Sequence, residues 1–109
     1  MPLRTDRCEA CNARTPTLSD DEVRELLGEL DITWSVNGAG HLQRDVDVAD
    51  FASALAAAVR CGMVAEADGH HPNLTVSWGR LRIELWTHAV NGLTRSDMVL
   101  AAHLDAALA

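Results

Sequence analysis

Three of the five histidines in this 109-residue chain, His70, His71 and His88, fall within nineteen positions of one another. Imidazole both gives and takes a proton near neutral pH without any shift of its ordinary pKa. His70 and His71 sit between Gly69 and Pro72, and Pro72 disfavours helix at His71. Glu66 lies four residues before His70. Asp97 follows in Thr94-Arg95-Ser96-Asp97, where a carboxylate can also serve as a helix cap. The combination suggests a pocket built for proton transfer. Three imidazoles are equally a zinc donor set, since neutral imidazole ligates catalytic zinc. Cys8-Glu9-Ala10-Cys11 has C-x-x-C spacing but no second pair of cysteines, a weak metal or redox signal.

The elements that must position these groups read clearly. Ser19-Asp20-Asp21-Glu22 has the form of a capping box, and Val23, Leu26, Leu27 and Leu30 follow at helical spacing. Ile32, Trp34 and Val36 alternate as a first strand. Asn37 to Gly40 is a turn signal, and Leu42, Val46 and Val48 form a second strand whose apolar side Arg44 interrupts. A long helix is expected over about 49 to 68, with Asp47 as N-cap. Its stripe is Phe51, Ala54, Leu55, Ala58, Val59 and Gly62, and Gly69 is its left-handed terminator. Leu74, Val76 and Trp78 give a third strand, Gly79-Arg80 a two-residue turn, and Leu81, Ile83 and Leu85 one face of a fourth. Arg82, Glu84, Trp86 and His88 share the opposite face. Pairing across that turn sets Trp78 opposite Leu81 and Leu74 opposite Leu85, which carries His88 to the His70-His71 corner. The three imidazoles are therefore expected to converge. Asn91-Gly92 breaks the strand, and a last helix runs from Thr94 towards Leu108.

The order is α-β-β-α-β-β-α, an α+β arrangement with helices covering one face of an antiparallel sheet. Residues 1–18 lack apolar periodicity and are expected to be an extended or flexible arm; residues 19–109 form one domain.

The pattern E-x-x-x-H-H-P at Glu66 to Pro72, followed by Trp78, His88 and Asp97, resembles the pterin-4a-carbinolamine dehydratases from about Ser19 to Leu104. The resemblance implies a four-stranded antiparallel sheet with three helices on one side. It implies dehydration of 4a-hydroxytetrahydropterin to quinonoid dihydropterin in pterin recycling, with the pterin as substrate and neither metal nor cofactor. His70 and His88 match general-acid positions, His71 a substrate-binding position, and Glu66 and Asp97 acidic positions of the motif. Trp86 and Trp78 are candidates to lie against the flat pterin ring. The implied partners are a second copy of the chain, as homodimer or homotetramer, and an aromatic amino-acid hydroxylase system.

Several positions depart from the family pattern. Val46 and Val48 stand where aromatics are usual, Ala57, Val59 and Gly62 alter the helix used for assembly, and Ala89 replaces an acid after the third histidine. These departures sustain an alternative from another class, a non-enzymatic dehydratase-like factor that assists Rubisco assembly.

Bulk properties narrow the rest. The net charge is −7, and all nine cationic residues are arginines scattered along the chain, which argues against nucleic acid. No run approaches the length of a membrane span, no secretory pattern opens the chain, and three cysteines fit a reducing compartment. The expectation is a cytoplasmic protein.

Overall fold

A computed structural model describes residues 2–109. Its elements are α1 (Asp20–Leu27), β1 (Ser35–Val36), β2 (Leu42–Asp47), α2 (Phe51–Asp68), β3 (Asn73–Ser77), β4 (Arg80–Leu85) and α3 (Arg95–Leu108). The strands form one antiparallel sheet in the order β1-β2-β4-β3. The sequence order α-β-β-α-β-β-α is therefore observed. What it could not give is the central pairing: β2 lies against β4, with Leu42 opposite Leu85 and Val46 opposite Leu81.

The core lies between the sheet and the helices. Leu42, Leu81, Ile83 and Leu85 from the sheet are fully buried, as are Met98, Val99, Leu100 and Leu104 of α3. Arg44 points into this same layer, where its guanidinium donates to Asp105 Oδ1 at 2.6 Å. Trp34 Nε1 donates to the same oxygen at 2.7 Å. A charge on the apolar side of β2 thus has a carboxylate waiting for it on α3.

Local chemistry moves several expected boundaries. Asp31 accepts hydrogen bonds from the Thr33 N–H and hydroxyl, and this side-chain turn leaves only Ser35 and Val36 as strand. Ile32 ends up 96% exposed. The N-cap of α2 is Asp50, which accepts from Ser53 N at 2.8 Å; Asp47 remains in β2 and accepts from Arg80. The buried face of α2 is Ala54, Ala57, Ala58, Cys61 and Ala65, whereas Phe51, Leu55, Val59 and Met63 lie largely exposed. Small residues let α2 approach closely, so its large side chains point away from the core.

The β3–β4 turn also shifts. Ser77 pairs with Arg80, so Trp78-Gly79 are the central residues and Gly79 takes a φ of 77° at the second of them. A positive φ favours glycine there, which fixes the turn one position earlier than expected. Leu74 consequently faces Ile83, two residues from the expected Leu85. An even slip preserves which side chains face the core but displaces the strand end. β4 stops at Leu85, and residues 87–92 close into a loop through Thr87 N–H to Gly92 O at 2.8 Å.

The N-terminal arm carries a 3-10 turn at Leu3–Thr5 and a second turn closed by Thr15 N–H to Asn12 O, and it is docked. Leu3 is fully buried in the main core, and its N–H donates to Glu29 Oε1.

Candidate active site

The densest polar cluster surrounds Asp97, which is fully buried in the first turn of α3. A buried carboxylate is tolerated only when its oxygens are satisfied. Asp97 Oδ1 accepts from His70 Nε2 at 2.5 Å, and Oδ2 accepts from the Thr87 hydroxyl at 2.8 Å and the Thr94 N–H at 2.9 Å. With the Thr87 proton committed to Asp97, the Thr94 hydroxyl donates to Thr87 Oγ1 at 2.9 Å. The capping role and the histidine-holding role of Asp97 thus belong to its two different oxygens.

His70 reaches this carboxylate because of how α2 ends. Gly69 adopts the left-handed conformation, φ 69°, and returns its N–H to Ala65 and Glu66 carbonyls, while His70 N–H donates to Ala65 O. That reversal turns His70 towards α3. An imidazole that donates Nε2–H to a carboxylate keeps Nδ1 for exchange of a proton, with its tautomer and ring orientation fixed.

The other histidines occupy different settings. His71 Nε2 donates to Glu66 Oε2 at 2.9 Å, and both side chains are well exposed. His88 lies in the loop after β4 and stacks on Trp86, with ring centroids 4.4 Å apart. Trp86 stacks in turn on His41 at 3.9 Å and an interplanar angle of 3°. His41 Nδ1 donates to Glu84 Oε2 at 2.6 Å, and Asn37 donates to the same oxygen. These two donors hold the Glu84 carboxyl below the usual carboxylate range.

Among the described residues, His70, His71 and His88 make no hydrogen bond or ring contact with one another. His88 and His70 are linked through Thr87, which precedes His88 in the chain and shares Asp97 with His70. Trp78 does not join this group. It sits in the β3–β4 turn, 75% exposed, while the histidine corner lies where β3 begins and β4 ends. His41 was absent from the expected site, although it belongs to the same stack as Trp86 and His88. It directly precedes β2, and its place beside Trp86 depends on β2 pairing with β4, Leu42 opposite Leu85. Among the described residues no group of three or more His, Cys, Asp or Glu side chains is arranged to hold a metal ion. A groove of about 740 Å³ lies between the arm, α1 and the start of α3 and has no histidine in its wall.

Comparison with known proteins identifies the fold and the family. A Rickettsia canadensis protein provisionally named a pterin-4-alpha-carbinolamine dehydratase is 41% identical over 103 residues, covering 94% of both chains. A Gloeobacter violaceus protein with the same provisional name, numbered 1, is 40% identical over 109 residues, covering 97% of this chain and 93% of that one. The crystal structure of a transcriptional coactivator/pterin dehydratase from Brucella melitensis superposes with a TM-score of 0.78 at 29% identity, covering 86% of this chain and all of that one. Residues 16–107 match the family described as pterin 4 alpha carbinolamine dehydratase. The chain belongs to that family.

Proposed function

We propose that this protein dehydrates 4a-hydroxytetrahydropterin to quinonoid dihydropterin and water by histidine acid–base catalysis, in support of pterin recycling. The observation that carries this reading is the buried Asp97 carboxylate holding His70 in a single tautomer. The 4a-hydroxyl is a poor leaving group until it is protonated. An imidazolium at His70 or His88 supplies that proton, the pterin nitrogen lone pair expels water, and the resulting cation loses a ring N–H proton to a neutral imidazole. Each such step gains about 10²–10⁴-fold from a well-placed acid or base. The Asp97 carboxylate orients the His70 ring through Nε2 without taking the catalytic proton itself, as carboxylates do beside catalytic histidines.

The exposed His71, steadied by Glu66, is suited to contact the substrate. Trp86, flanked by His41 and His88, offers the stacking setting that a flat heterocycle would use. The reaction changes no oxidation state and so calls for no redox cofactor, and in this reading the histidines alone supply the acid and base.

Single variants separate these roles. His70→Ala and His88→Ala should each lower kcat at least about tenfold with KM little changed, and His71→Ala should chiefly raise KM. Equal effects of all three on KM alone would contradict the assignment. A second reading is a non-enzymatic dehydratase-like factor that assists Rubisco assembly, for which the exposed apolar stripe of α2 would be the contact surface. A wild-type protein inert towards the carbinolamine but binding that client through α2 would support it.

A further inference from the structure

Contacts from the arm converge on the two segments that hold His70 and Asp97. Asp6 Oδ2 accepts from Arg95 Nε at 2.8 Å. The Glu9 main chain binds Ser96 twice, its N–H donating to Ser96 Oγ at 3.0 Å and its carbonyl accepting from that hydroxyl at 3.1 Å. Cys11 Sγ lies 3.8 Å from Thr94 Oγ1. Three consecutive residues before Asp97 are therefore each held by the arm. Cys8 reaches the other segment: its thiol lies 3.7 Å from Asp68 Oδ2 and 3.5 Å from Ser96 O. Asp68, two residues before His70, also accepts from His103 Nδ1 at 2.5 Å. The end of α2 and the body of α3 are thus joined by two His–Asp pairs running in opposite directions, His70 to Asp97 and His103 to Asp68.

We propose that the N-terminal arm is a positioning strap for His70, in which Cys8 and Glu9 fasten the end of α2 to the first turn of α3 and so set the His70–Asp97 hydrogen bond. A bond of this kind needs its partners placed within a few tenths of an ångström, and the two partners come from separate helices. The strap touches both. Its thiol acts as a donor: burial, then the neighbouring Asp68 charge, pushes the Cys8 thiol up to about 12, so it stays protonated beside the carboxylate. Cys8 and Ser96 are positioning residues. They act on the reaction only through His70 and Asp97.

The catalytic part of this inference rests on the dehydratase reading, and the structural part does not. The test is an NMR pH titration of the histidine rings in the full chain, with His71 as internal reference because its Glu66 partner makes no arm contact. The variants are Cys8→Ala with Ser96→Ala, Cys8→Ala alone, and Cys8→Ser. The double variant should move the His70 midpoint by at least about 0.5 unit and leave His71 within about 0.1. It should lower kcat for carbinolamine dehydration about fivefold, with KM within about twofold. Cys8→Ser, which keeps a donor, should restore both values. If the double variant does not fold, Cys8→Ala alone decides by the same readouts, at roughly half the effect. An unchanged His70 midpoint in a folded variant, or His70 and His71 moving together, would overturn the strap. An inactive wild type whose His70 midpoint still follows the arm would overturn the dehydratase reading and leave the strap standing.

Discussion

At the scale of single residues, Asp97 decides most. It is fully buried, and three donors from His70, Thr87 and Thr94 end on its two oxygens. Removing one partner of such a set strands the others away from water. Asp97→Ala should cost about 3–5 kcal/mol of stability, read from urea unfolding, because a buried pair is broken and not replaced. A cost below about 1 kcal/mol would mean that water replaces the carboxylate. The sequence made this residue visible twice, as a cap and as a motif acid, but not that both descriptions hold at once. His41 carries no such local signal, since its stacking on Trp86 follows from the pairing of β2 with β4, which are far apart in the chain. Trp78 shows the converse: its place after Leu74 and Val76 reads as strand, whereas Gly79 needs the positive φ and draws Trp78 into the turn.

At the scale of elements, the helices were the most legible because caps and terminators are local. Ser19 with Glu22 starts α1 and Gly69 ends α2, both as the residues suggest. Strand ends were less so, since Asp31 and Gly79 redirect the chain by side-chain and φ chemistry that alternation alone does not contain. The arm carries no periodicity, yet Leu3 is buried and Cys8 is held between Asp68 and Ser96. This has a consequence at alkaline pH. The folded-state pKa of Cys8 is raised from 9.0 to about 12. The folded protein therefore holds this proton more tightly than the unfolded chain, and the stability it confers is fully present below pH 9 and lost as pH rises from there towards 12. Cys8→Ser keeps a donor but does not titrate in this window. Between pH 8 and roughly pH 10.5 the wild-type Tm should fall more steeply than that of Cys8→Ser. Parallel declines would show that the arm is undocked before Cys8 titrates.

At the scale of the whole molecule, the sheet covers its helices on one side only, and Phe51, Leu55, Val59 and Met63 form an exposed apolar stripe at four-residue spacing along α2. Contiguous apolar surface of this kind marks an interaction site, and two-fold pairing is the commonest way a chain covers it with a second copy. The small residues Ala54, Ala57, Ala58, Cys61 and Ala65 line the buried face of α2, so its large apolar side chains are left for another surface. Sedimentation at micromolar concentration should find a dimer or larger species, and Leu55→Glu with Val59→Glu should return it to 11.8 kDa. A wild-type monomer would show that the stripe is not self-complementary. Among the described residues no helix is long and apolar enough to cross a membrane. In the proposed reaction the Asp97-held imidazole of His70 drives carbinolamine dehydration. The most direct measurement follows the spectral change on 4a-hydroxytetrahydropterin breakdown with purified wild-type protein, with Asp97→Asn, and in buffer alone. The account predicts a wild-type rate far above buffer and a loss of at least about tenfold in Asp97→Asn, which keeps the shape of the carboxylate but not its charge. A wild-type rate equal to that of buffer, or an Asp97→Asn protein as fast as wild type, would contradict it.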